Sequence, residues 1–483
     1  MKKMRIFALI LLAVLLASCG APASDAPTSA DTAAVTESSA AVETELTPLL
    51  PADLSFDGKS FVFGVVDNPN ARNLLVMEEM TGEVLNDAQY SVISSANEAL
   101  NVSISQHILT NGYPAAGSLI PIIAAGDDAV QVANVYCVDV TTLLVGGYIR
   151  NYADIPYIDL EKPWWDSSVN ESLTLAGIRY AAIGDLSIST HDLTYCLLFS
   201  KKLAGDFGLE SPYDLVSSGK WTMDNMAVLA EAVLTDVNGD GVQDENDLYG
   251  YLSHTKMALP GFWIGAGEKS IEIDDKGIPY IAMDDERFVN VINKIFAVTW
   301  DNGVRYTKAS TETPDVPLLY RQMFTSDKSL FLDCSLFWIS TLRDMESDFG
   351  ILPYPKYDEA QDSYHARVSY YMPPVIPVTS ADDALVGSVL EEANYLAYRS
   401  VKPAYYEISL KGKYSRDEDS EQMLDMIFNS RVIDLGDTLL CAQIRDGFMT
   451  TLYKSGKPDL ASKLEASRPA IQKTIDDMIA ALP

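Results

Sequence analysis

The chain has 483 residues, 48% of them hydrophobic and 10% aromatic, with a formal net charge of -33. That length and apolar content exceed what one core uses, so two lobes are expected. The charge repels nucleic acid and anionic head groups, and with no basic stripe interleaved with aromatics, nucleic-acid binding is disfavoured.

At the N-terminus, Lys2, Lys3 and Arg5 precede an unbroken apolar run from Ile6 to Leu16. The run is too short to span a bilayer as a mature helix. Leu-Ala-Ser-Cys follows over 16–19, then Gly20. Small residues before a cysteine resemble a bacterial lipoprotein signal, which implies removal of 1–18 and lipid on Cys19. An ordinary signal peptide with a chance cysteine is the alternative. Residues 19–54 are rich in Ala, Ser, Thr, Pro, Asp and Glu and have no aromatics. Such a segment cannot bury enough surface to offset its ordering entropy, so a flexible tether of roughly 30 Å is expected. The protein is thus expected on the outer face of the cytoplasmic membrane, held by lipid rather than by a span.

From Lys59 the pattern alternates. KSFVFGVV (59–66) reads as a buried strand, NDAQYSVISSANEALN (86–101) as an amphipathic helix and VSISQHIL (102–109) as a strand. SLIPIIAAGDD (118–128) reads as a helix and AVQVANVYCV (129–138) as a strand. Alternation at this spacing predicts βα units and a parallel or mixed sheet. TYCLLFSKKLAGDFGL (194–209) is a strand entering a short helix, and Thr222 caps a helix over 222–235. Helical apolar spacing returns over 381–400 and 459–482.

Between these elements lies DVNGDGVQDENDL, Asp236 to Leu248. It sets Asp236, Asn238, Asp240, Asp244 and Asp247 at positions 1, 3, 5, 9 and 12 of an EF-hand loop. Gly241 takes the sharp turn at position 6, and the carbonyl of Val242 is the expected backbone ligand. A structural Ca²⁺ is expected, although Asp at position 12 shortens the reach. An acidic solvated turn is the bland alternative. The loop occurs once, so a paired calcium sensor or a two-loop adhesive module is not expected. Cys137, Cys196, Cys334 and Cys441 sit in apolar settings without C-x-x-C spacing, and the four histidines show no HExxH. Buried thiols are expected, and nothing suggests zinc.

The order of further segments is informative: IIAAGDDAVQVANVY, VGGYIRNYADIPYIDLEKPWWD, GIRYAAIGDLS, the loop ending DLYG, FWIGAGEKSI, DKSLFLDCSLFWIS and FGILPYPKYDEAQDSYHARVSYYMPPVIP. Together they resemble an extracellular solute-binding protein of an ABC transporter, family 1, the group with sugar-binding lipoproteins. The likeness runs from about Lys59 to the C-terminus. It implies an α/β type II periplasmic-binding fold of two lobes joined by hinges, with a ligand cleft between them. Carried over, the hinges fall near Ile178–Gly184, Arg367–Pro377 and after Arg431. Lobe one is then 55–180 plus 375–430, and lobe two 181–374 plus 431–483. The implied function is non-enzymatic: a monomer captures a small solute, foremost a carbohydrate, for ABC permease subunits. A secreted glycoside hydrolase or lyase is the enzymatic alternative, and a calcium-dependent adhesion or scaffold lipoprotein the third.

Six residues are expected to meet the ligand. Trp263 sits among glycines in PGFWIGAGE, and Trp338 resembles the family's aromatic platform. Asp185 follows the first hinge, where a turn or cap is its alternative role. Tyr136 ends a strand, and Glu83 and Asp87 begin the helix after another, the positions where α/β sheets hold ligands. Glu83 and Asp87 could equally be caps. Trp164, Trp165, Trp221 and Trp300 are expected to pack inside.

Overall fold

A computed structural model describes residues 46–301, 316–342, 345–406 and 417–483. The leader, Cys19 and the tether up to residue 45 lie outside the described residues.

Eight strands of the described residues carry two main sheets: β1 (Lys59–Val66), β2 (Val102–Thr110), β3 (Val132–Asn134), β4 (Tyr195–Ser200), β5 (Tyr249–Leu252), β6 (Ser329–Ser335), β7 (Phe349–Leu352) and β8 (Pro374–Val375). The first sheet runs β8-β3-β1-β2, and the second β7-β4-β6-β5. β1 is parallel to β2 and β3, with Lys59 opposite Val102 and Phe63 opposite Val132. β8 is antiparallel to β3, and β4 is antiparallel to both β6 and β7. The mixed α/β architecture matches the expectation from alternating segments.

The side-chain period of two explains why these stretches are strands. Phe61, Phe63 and Val65 point to one face of the first sheet, where they join Leu85, Val92 and Val389 in one cluster. In the second sheet Cys196 and Leu198 face that cluster, while Tyr195, Leu197 and Phe199 face another. Buried on both faces, β4 has no exposed residue to interrupt it.

Helix ends follow their capping chemistry. Thr222 accepts from the Asn225 N–H to start the helix Met223–Val233, and Asp382 accepts from Leu385 to start Asp383–Pro403. The latter packs on the helix Val84–Leu100 against the first sheet. AVQVANVYCV is a strand over Val132–Asn134 only, for Tyr136 already caps the helix Cys137–Val145.

Two local expectations change. Leu50 and Leu54, placed in the tether, lie partly buried against the core. The helix Glu418–Asn429, placed with lobe one, packs on β7 of the second sheet. Thr47–Pro483 forms one compact unit, and both apolar clusters draw residues from the two sheets. Ala366–Arg367 and Arg431–Val432, at two of the expected crossings, run side by side as a parallel ribbon. Among the described residues no helix is long and apolar enough to cross a membrane.

Candidate functional site

Strand direction brings distant segments to one place. The C-terminal ends of β1, β2 and β3 lie at the edge of the first sheet where antiparallel β8 begins. The end of β6 likewise meets the start of β4. Residues leaving or entering at these edges line a central cavity of about 250 Å³. Asn68 and Asn70 follow β1, Tyr113 follows β2, Tyr136 follows β3 and Tyr370 precedes β8. From the second sheet come Leu193 and Tyr195 at the start of β4, Met257 after β5 and Trp338 after β6. A larger opening of about 360 Å³ adjoins it through Asn68 and is lined by Asp67, Arg72, Glu83 and Phe337 among others.

The central cavity is aromatic by construction. Tyr113 meets Tyr136 edge-on at 4.9 Å between centroids, and Tyr370 lies 6.1 Å from Tyr113. Tyr370 has φ 62°, a left-handed conformation unusual for a bulky residue. Such strain persists where the surroundings impose it, commonly at ligand sites.

Behind these rings sits a buried charge network. Arg367 donates to both carboxylate oxygens of Asp437 at 2.6 and 2.8 Å, and neither side chain is exposed. Its guanidinium lies 4.3 Å from the Tyr195 ring, and that of Arg445 lies 3.9 Å from Tyr370. Arg445 also donates to the Asp437 carbonyl at 2.8 Å and to Asp446 at 2.9 Å. Burial works against the charge on Arg367, but the Asp437 carboxylate outweighs it and raises the pKa. Burial likewise lifts Tyr136 and Tyr195 to about 12, so both phenols stay protonated at neutral pH. Flat hydrophobic faces with hydroxyl tips suit a ligand that has both C–H faces and hydroxyl groups.

The structure sorts the six expected residues. Tyr136 and the half-buried Trp338 meet in the central cavity. Glu83 lines the adjoining opening, yet its carboxylate accepts from Leu85 and Asn86 N–H groups as a helix cap. Asp87 accepts from Thr81 and Gly82 N–H groups and lines neither space. Asp185 is buried and paired with Lys402 at 3.3 Å, away from the cavity. Burial raises its pKa to about 7.

Trp263 is fully buried, and its Nε1 donates to Asp434 at 2.8 Å. Gly261 and Gly265 beside it are packing glycines of the helix Thr255–Gly265, not of a loop: a Cβ at Gly261 would meet Tyr354 at 2.5 Å. Trp164 and Trp165 are buried and donate to the two oxygens of Glu391, and Trp221 is buried with its Nε1 on the Pro353 carbonyl.

Tyr113, Tyr195 and Tyr370 were not anticipated. The strand-end rule that selects Tyr136 reaches Tyr113 as well, since VSISQHIL is legible as a strand. Tyr195 opens its strand and Tyr370 precedes its own, so only the antiparallel pairing reveals them.

In the expected cation loop, Asp236 accepts from Gly239 and Gly241 N–H groups. Asp240 accepts from Val242, Asp244 from Asn246, and Asp247 from Val237 and Asp244. Asn238 accepts from the Asp240 N–H. Among the described residues no three His, Cys, Asp or Glu side chains converge as metal ligands. The loop's oxygen side chains are thus all turned to its own backbone donors. All four inner cysteines are buried thiols, and Cys196 and Cys334 lie opposite each other across β4 and β6.

Comparison with solved structures settles the architecture. An ABC substrate-binding protein of Listeria monocytogenes, in complex with cycloalternan, aligns with a TM-score of 0.57. The match covers 87% of this chain and 100% of that one, at 12% identity. The chain has the fold of an ABC-transporter solute-binding protein. A solute-binding protein of Thermotoga lettingae bound with alpha-D-tagatose aligns at TM-score 0.55 and 15% identity, covering 86% and 100%. The maltose/maltodextrin-binding domain of Bdellovibrio bacteriovorus bound to maltotriose aligns at 0.52 and 14%, covering 87% and 100%. No protein-family model and no curated protein matches the chain.

Proposed function

We propose that this chain captures a carbohydrate in its inter-sheet cleft and delivers it to an ABC importer. The observation that carries the reading is the central cavity, where four tyrosines and Trp338 converge from both sheets. The structurally similar proteins of Listeria, Thermotoga and Bdellovibrio were solved with sugars, which supports the ligand class. A glycoside hydrolase needs two carboxyl groups flanking the bond it cleaves; the described lining of the central cavity contains no Asp or Glu.

In this reading the two sheets anchor two lobes that close on the solute, with crossings near Ile178–Gly184, Arg367–Pro377 and after Arg431. Cys19 carries the lipid anchor, the globule works as a monomer at the outer face of the cytoplasmic membrane, and permease subunits receive the solute. The Asp236–Asp247 loop takes a structural Ca²⁺ by rearranging its backbone contacts. What supports that is residue spacing alone; a melting temperature unchanged by calcium or chelator removes it.

The decisive experiment is calorimetry and thermal shift against neutral and acidic oligosaccharides, peptides and polyamines. A binding saccharide at a hundred times its Kd stabilises by about 2.7 kcal/mol, without product formation. Turnover of any saccharide, or stabilisation by peptides alone, overturns the proposal.

A further inference from the structure

We propose that the cleft selects an acidic saccharide, with the Arg321 guanidinium receiving an oxyanion borne by the sugar. The inference rests on the saccharide-capture reading and narrows its ligand. Beside the central cavity lies a side chamber of about 70 Å³, and the two share Tyr195, Met257 and Trp338 in their linings. A space of that size takes a substituent of a sugar rather than its ring.

Arg321 lines this chamber from the helix Val316–Thr325. Its guanidinium carbon stands 3.3 Å from the centroid of the Trp338 ring. Among the described residues no carboxylate forms an ion pair with it. Other inward arginines differ: Arg72 has Asp192 at 2.8 Å, Arg367 has Asp437 at 2.6 Å, and Arg431 has Asp166 at 2.7 Å. Partial burial without a counter-charge pulls the Arg321 pKa below its usual value. In a chain of net charge -33, Arg321 is a half-buried cation outside any ion pair among the described residues; the chamber's one acid, Asp333, is engaged by Ser253 and Tyr251 instead.

The stacking defines what Arg321 can still bind. Trp338 occupies a face of the guanidinium and leaves its N–H edges, which match an in-plane carboxylate or sulfate. Two more atoms of the chamber lack partners. Ser335 Oγ and Asp333 Oδ1 are buried without a hydrogen bond, although Asp333 Oδ2 accepts from Ser253 at 2.9 Å. A buried acceptor left unpaired costs free energy that a ligand hydroxyl recovers. Oxyanion and hydroxyl side by side describe a uronate, or a sulfated sugar.

Titration calorimetry of the purified protein tests this with matched pairs: digalacturonate against galactobiose, and cellobiouronate against cellobiose. A monosulfated galactobiose distinguishes a sulfate from a carboxylate. The acidic member should bind about tenfold or more tighter than its neutral counterpart, with a preference that falls as salt rises. Arg321→Gln should erase that preference, and Arg321→Lys should restore part of it. Neutral sugars that bind as well as acidic ones, or an unchanged preference in Arg321→Gln, overturn the acidic selection and leave saccharide capture standing. If no saccharide of either kind binds, both readings fall.

Discussion

Glu391 holds two indoles at once, accepting from Trp164 Nε1 at 3.0 Å and from Trp165 Nε1 at 2.9 Å. Burial raises its pKa to about 7 against the pull of those donors. The folded state therefore keeps a proton that the unfolded chain releases near pH 4.5. Stability is fully present below that value and is lost as pH rises towards 7, by on the order of 3 kcal/mol. Melting curves from pH 5 to 8 should slope downwards, and Glu391→Gln should reduce the slope, leaving the part due to Asp185, whatever it does to absolute stability. A slope unchanged in the variant would count against this assignment. The two tryptophans expected at the ligand make the opposite pair of predictions. Trp263→Ala empties a buried site and strands Asp434, so it should cost about 3–5 kcal/mol in denaturant unfolding and spare the cleft. Trp338→Ala should barely move the unliganded melting temperature and abolish ligand-induced stabilisation.

At the level of elements, the caps decide where several candidate residues spend their carboxylates. Glu83 closes the first turn of Val84–Leu100 through two N–H groups, while Asp87 ties down Thr81 and Gly82. Glu83→Ala should lose about 1 kcal/mol of stability, measured by urea midpoint, with at most a small change in sugar affinity. Intact stability together with lost binding would assign Glu83 to the ligand instead. Strand polarity works on the same scale. Because β8 runs against β3 and β4 against β6, Tyr370 arrives at the edge that Tyr113 and Tyr136 reach, and Tyr195 at the edge of the second sheet where β6 ends.

For the molecule as a whole, the proposed capture makes closure and binding one equilibrium. A solute touching both walls favours the closed arrangement by the difference in its affinity for the two states. Saturating saccharide should therefore reduce the radius of gyration in small-angle scattering as it raises the melting temperature. A melting shift without compaction would mean that the ligand seats on one wall only. The anionic surface is compatible with an acidic ligand provided the cavity supplies its own cation, the position that Arg321 occupies.

Periodicity and capping chemistry are local, so the chain by itself determined the β1 strand to the residue, the Thr222 cap and the mixed α/β class. It also determined the buried state of the four inner thiols and of Trp164, Trp165 and Trp221. The order of segments carried the solute-binding resemblance, and strand ends pointed to Tyr136. Tertiary structure alone decided that Trp263 is core, because the closeness of Tyr354 to Gly261 has no trace in PGFWIGAGE. It alone set Cys196 opposite Cys334, moved Glu418–Asn429 onto the second sheet and gathered the tyrosines. A binding site is made of side chains from segments hundreds of residues apart, and which ends of those segments meet depends on strand direction and packing. Neither is encoded in any short window of sequence.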